Sequence, residues 1–236
     1  MKSDDLRARP TDISGPTLNA IADTVYLFDV DNTLLDNDAI IDTLRAHLVE
    51  TFGAPAAQRY WDGFESQRSE LGYADYLGAL QRYRVNADCD PHLLSMSSFL
   101  IDYPFANHFY AGALQTLIQA RGRGPTVLLS DGDVMFQPHK VQRSGLWNAV
   151  EGRVLIYIHK ELMLEDMMRR YPARHYVMVD DKLRILTAMK TVMQARLTTV
   201  FVRQGHYAHD LAAISALPSA DITIERIADF DSLKLP

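Results

Sequence analysis

Six short apolar runs punctuate the chain, at residues 25–30, 126–130, 154–158, 176–179 and 198–202, with a weaker one at 222–224. Each has the length of a strand and is apolar almost throughout rather than alternating, as strands covered on both faces are. Helical spacing fills most of the gaps, at residues 111–120, 138–150, 160–171, 183–195 and 209–217. Strand, helix and strand repeated in this way predict an α/β fold: a Rossmann-like, doubly wound parallel sheet with right-handed crossovers.

One interval breaks the rhythm. About 70 residues, 37–108, follow the first run without a convincing strand. Their apolar positions recur at helical spacing, first at Ile40, Ile41, Leu44, Leu48 and Phe52, then at Trp61, Phe64, Leu71, Tyr76, Leu77, Leu80 and Tyr83. Gly53-Ala54-Pro55 and Asp90-Pro91 separate the helices. The expected organisation is a flexible polar leader at 1–18, a discontinuous core at 19–36 plus 109–236, and an inserted all-helical domain at 37–108.

Composition narrows the class. The 236 residues are 47% hydrophobic and 23% charged, too apolar for a disordered chain. A chain of this length buries about 70% of the surface its unfolded form exposes, enough for a core without staples. The net charge of −6 argues against a nucleic-acid partner. No stretch approaches the roughly 18 consecutive apolar residues of a membrane helix, so no membrane partner is expected. The polar start lacks the apolar segment of a secretory signal, and the single Cys89 fits a reducing compartment. The expected location is the cytoplasm.

The chemistry gathers where the runs end. The first closes at Asp29, and Asp31 stands two residues on, so period-two geometry sends both carboxylates to one side. A calcium loop of the EF-hand type is excluded, because its glycine and glutamate places hold Leu34 and Ile40. The second run ends in Ser130-Asp131-Gly132, a hydroxyl and a turn whose amides can meet an anion. Lys160 follows the third run, where an ammonium can neutralise phosphate. Asp180 and Asp181 close the fourth, and adjacent carboxylates beside a buried strand are costly without a cation. Magnesium, an oxygen-seeking octahedral ion, would relieve them.

The order Asp-x-Asp, Ser, Lys, Asp-Asp on successive strand ends resembles the haloacid dehalogenase superfamily of aspartate-nucleophile hydrolases, over nearly the whole span 25–202. The inserted helices look like that family's C1 cap. The resemblance implies Asp29 as nucleophile, Asp31 as general acid and base, and Ser130, Asp131 and Lys160 around a phosphoryl group. It implies Mg2+ held by Asp29, the Asp31 backbone carbonyl, Asp180 and Asp181. Asp31 favours phosphoryl chemistry, since a halide leaves without a proton and the family's true dehalogenases lack this aspartate. The expected function is a Mg2+-dependent phosphatase acting on a small phosphorylated metabolite, as a monomer or homodimer. A phosphomutase, a hydrolase of other specificity and a non-catalytic module are the alternatives.

Three positions depart from the family pattern: Asp131 where a neutral residue is frequent, Val179 before the aspartate pair, and Ile185 where an acid often follows. Lys182 reads as solvated. Specificity should come from the cap, whose arginines and aromatics include Arg45, Trp61, Arg68, Tyr73 and Tyr76, with no single one selected. His139, His159 and Cys89 read as bystanders.

Overall fold

The computed structural model describes residues 17–18, 20–85, 87 and 90–235; nearly all of the leader expected at 1–18, and Cys89, lie outside the described residues. Among them are six strands: β1 (Ala22–Phe28), β2 (Thr126–Asp131), β3 (Val154–Tyr157), β4 (Ala173–Asp180), β5 (Leu197–Val202) and β6 (Ile222–Ile224). They form one sheet in the order β3-β2-β1-β4-β5-β6, and every pairing is parallel. The near-continuous apolar runs are explained by this: helices cover both faces. Val25 and Leu27 pack on one face with Leu129, Met178 and Leu186, while Tyr26 and Phe28 pack on the other with Leu128, Val177 and Phe230.

Between β1 and β2 come α1 (Asn37–Phe52), α2 (Ala54–Leu71), α3 (Tyr76–Arg84) and α4 (His92–Asp102). Local chemistry sets their limits. Asp36 accepts from Ala39 N and caps α1, and Asp75 does the same for α3 through Gly78 N. Gly72, at φ 80°, takes the left-handed conformation that ends α2. These helices share a third hydrophobic cluster, from Ile40, Leu44 and Leu48 to Tyr60, Phe64, Tyr76, Met96 and Phe105. From beyond residue 108 comes Phe136, the first residue of α6 (Phe136–Arg143).

The remaining helices are α5 (Ala113–Arg123), α7 (Leu146–Ala149), α8 (Leu164–Arg170), α9 (Leu183–Met193) and α10 (Leu211–Ser215). Two predicted helices are interrupted. The pattern at 138–150 is split by Gly145 at φ 88°, which ends α6 and opens α7. The pattern at 160–171 begins as a short 3-10 turn, Lys160–Leu162, and reaches α-helix at Leu164. There the Lys160 side chain turns into the interior. Strand limits also shift. β1 and β4 start earlier than their apolar runs, at Ala22 and Ala173, because they pair there despite exposed side chains such as Asp23 and Arg174. Val30 lies beyond β1 although it is apolar and buried. Among the described residues no helix is long and apolar enough to cross a membrane.

Candidate active site

The sheet order reverses direction at the β1–β4 pair, and open α/β sheets bind ligands there, at the carboxyl ends. Register brings the predicted residues level: Phe28 pairs with Leu128 and Val179, and Ser130 with Ile156. Asp29, Ser130, Lys160, Asp180 and Asp181 thereby meet, each buried. The Lys160 ammonium bonds Asp29 Oδ1, lies 2.7 Å from Asp180 Oδ2 and donates to the Leu129 carbonyl at 3.2 Å. Burial disfavours its charge, but Asp180, Asp29 and Asp131 together hold the lysine above its usual pKa.

The carboxylates shift upward as well, but for an acid that disfavours the charge. Burial lifts Asp29 to about 6, opposed by Lys160 and reinforced by Asp180. Burial and then Asp180 push Asp181 well above the carboxylate range. Asp29 Oδ2 and both Asp181 oxygens are buried and have no hydrogen-bond partner. Thr33 Oγ1 accepts from Asp181 N at 3.1 Å, which joins the first motif to the fourth strand.

Asp31 faces elsewhere. Its Oδ1 accepts from Lys140 Nζ at 2.8 Å and its Oδ2 from Gln137 Nε2 at 3.4 Å. Gln137 also donates to Ser130 Oγ at 3.0 Å. Asp131 accepts the Lys160 backbone N–H at 2.7 Å and so fixes the turn that delivers that lysine. Burial raises its pKa, with Lys160 opposing. Over these groups opens a cavity of about 1150 Å3, lined from the sheet side by Asp31, Asp131 and Lys182 and from the helical layer by Arg45, Trp61 and Arg68. Arg68 closes one flank with a 2.5 Å hydrogen bond to the Tyr207 hydroxyl. His206 and Asp38 close another, joined Nδ1 to Oδ1 at 2.7 Å.

A haloacid dehalogenase-like hydrolase from Burkholderia xenovorans LB400 is 65% identical to this chain, covers 91% of it over 100% of its own length, and superposes with a TM-score of 0.86. The chain belongs to the haloacid dehalogenase-like hydrolases. Two more distant structures share the fold. One is an L-2-haloacid dehalogenase from Xanthobacter autotrophicus, 16% identical with a TM-score of 0.56, over 90% of this chain and 98% of its own. The other is a magnesium-bound HAD hydrolase from Bacillus subtilis, 14% identical with a TM-score of 0.57, over 89% and 97%. No family model and no curated protein sequence matches the chain.

In this haloacid dehalogenase-like hydrolase the donor set suits a hard divalent cation. One oxygen from each of Asp29, Asp180 and Asp181 lies within 4.8 Å of the others. The unpartnered oxygens of Asp29 and Asp181 need a positive partner that Lys160 does not supply. The Asp31 carboxylate lies outside this cluster, against Lys140.

Sequence reasoning missed three participants in the hydrolase. Gln137 and Lys140 are buried on α6, three residues apart and so on one face, a polar pair in a helix whose Phe136 and Val141 are also buried. The pair begins five residues after Gly132, and its spacing gives a shared face but not what that face packs against. Lys182 is half-buried at the cavity rather than free in solvent: its ammonium stands 4.9 Å from the Tyr207 ring centroid, and Asp181 and Asp29 outweigh burial to raise its pKa. Ile185, at a frequent acid position, packs in the sheet core.

Proposed function

We propose that this hydrolase is a magnesium-dependent phosphatase of a small phosphate monoester, working through an aspartyl-phosphate on Asp29. The observation that carries the reading is the division of labour between the two motif aspartates. Asp29 is sealed against Lys160, whereas the Asp31 side chain is 25% exposed and lines the cavity where a leaving group would sit.

The Asp29 carboxylate attacks phosphorus through one oxygen while the bond to the leaving oxygen breaks, and Asp31 gives that oxygen its proton. Asp31 then takes a proton from the water that attacks the aspartyl-phosphate, which frees phosphate and restores Asp29. Ser130 and Lys160 hold the phosphoryl oxygens, with the Asp131 carboxylate behind the Lys160 turn. Asp29, Asp180, Asp181 and the Asp31 carbonyl would hold magnesium, which would neutralise charge between an anionic nucleophile and an anionic substrate. Residues 37–108 act as a C1-type cap over a core of 19–36 and 109–236, and the protein works in the cytoplasm as a monomer or homodimer.

One observation favours a second reading. Both Asp31 oxygens are engaged, by Lys140 and by Gln137. A leaving group that departs without a proton, such as halide, asks nothing of them. Hydrolysis of p-nitrophenyl phosphate in magnesium, lost with EDTA, is the expected result. Chloride release from L-2-chloropropionate with no phosphate release from any ester overturns the phosphatase reading.

A further inference from the structure

Two buried lysines divide the two motif aspartates between them. Lys160 takes Asp29, and Lys140 takes Asp31. A lysine on a short amphipathic helix ordinarily stretches into water, yet the Lys140 side chain is 2% exposed. An ammonium buried to that extent persists where its hydrogens find strong acceptors. Lys140 Nζ has two: Asp31 Oδ1 at 2.8 Å and Asn37 Oδ1 at 3.0 Å.

The helix that carries it is seated with care. Asp133 Oδ1 accepts from Met135 N at 2.7 Å and Phe136 N at 2.6 Å, fixing the start of α6. Gly132 lets α6 approach, since a Cβ there would come within 2.5 Å of the Gln137 side chain. Gln137 then spans Ser130 and Asp31, and Lys140 reaches Asp31 from one turn further on. Asn37 is the first residue of α1, so the same ammonium ties Asp31 to the point where the chain enters the helical layer.

We infer that Lys140 is a positioning residue for leaving-group protonation: it holds the Asp31 carboxylate at the cavity and couples its orientation to the base of α1. The inference rests on the phosphatase reading. Without Lys140 the Asp31 side chain, on a loop beyond the strand end, keeps no charged partner and is held only by the longer 3.4 Å hydrogen bond from Gln137. Proton donation then fails more often, while binding of the phosphoryl group through Ser130 and Lys160 continues.

The test compares phenyl phosphate, whose leaving group is the stronger base, with p-nitrophenyl phosphate, whose leaving group departs readily as an anion. Lys140→Met should lower kcat on phenyl phosphate by about tenfold or more and on p-nitrophenyl phosphate by no more than about threefold, with KM nearly unchanged. Lys140→Arg should restore most of the loss. In an Asp31→Asn background, Lys140→Met should add little on phenyl phosphate, because the group it orients is gone. If Lys140→Met lacks the wild-type circular dichroism spectrum, Lys140→Gln carries the same comparison. Equal losses on both esters, or a loss that adds in full to that of Asp31→Asn, overturn the inference and leave the phosphatase reading intact. A wild-type protein inert towards both esters overturns the two together.

Discussion

The carboxyl ends of the strands and the interior of the helical layer both bury side chains, but they are filled with opposite materials. At the strand ends, Asp29, Lys160, Asp180 and Asp181 are buried side by side. In the helical layer the buried volume is aromatic and aliphatic, with Phe64 stacked on Tyr76 at 4.7 Å and the Tyr60 hydroxyl satisfied by the Tyr76 carbonyl at 2.9 Å. Clustered like charges oppose folding unless a cation joins them, whereas packed rings favour it. The strand ends therefore sacrifice stability for chemistry, and the helical layer is built for cohesion and leaves its charges at the cavity wall and on its outer surface.

The contrast is sharpest at Asp29. Asp29→Asn should cut phosphate-ester hydrolysis by at least about a thousandfold, measured as initial rates, while the melting temperature of the metal-free protein stays level or rises. A variant that melts early and still turns over would break the contrast. Leu48→Ala, deep in the helical layer and away from the cavity, should do the reverse. It should cost about 2–5 kcal/mol in urea unfolding, with the rate per folded molecule on p-nitrophenyl phosphate within a few-fold of wild type.

Metal and pH give an intermediate effect. The folded-state pKa of Asp29 is raised to about 6 and that of Asp181 lies well above the usual range. A carboxyl group raised on folding stabilises the protein fully below its unfolded pKa, and that contribution is lost as pH rises through the folded value. Magnesium should thus raise the melting temperature more at pH 7.5 than at pH 5, with about 2.7 kcal/mol gained at a hundred times its Kd. Equal shifts at the two pH values would contradict the proposed ligands. The smallest effect belongs to the flank of the cavity. Arg68→Ala, which removes the hydrogen bond to Tyr207, should change stability by less than about 1 kcal/mol and move KM a few-fold with kcat unchanged.

What was legible in the sequence follows the same division. Asp29, Ser130, Lys160, Asp180 and Asp181 stand at the ends of apolar runs, and parallel pairing makes strand ends neighbours whatever their separation along the chain. Residues brought in by a helix were not legible. Gln137 and Lys140 reach the site because α6 is capped by Asp133 and seated close over Gly132, a tertiary arrangement that a polar pair in a helix does not announce. Lys182 misled for a related reason: its ammonium meets the ring of Tyr207, which follows β5 and lies 25 residues further on. The helical character of 37–108 was readable from its spacing. The closing contacts Arg68–Tyr207 and Asp38–His206 were not, since each joins residues well over one hundred positions apart.

The central place of β1 has a consequence for how the chain acquires its shape. Tyr26 pairs with Thr126 and Ala22 with Ala173, so the strand at the middle of the sheet finds its two neighbours one hundred and about 150 residues later. Closing loops of that length carries an entropic cost before any sheet contact repays it, and such topologies fold slowly. During synthesis β1 waits with Val25, Leu27 and Phe28 uncovered, while the helices that follow it already possess partners of their own. A nascent chain halted before residue 126 would present an apolar, unpaired strand, open to association with other chains until β2 is made.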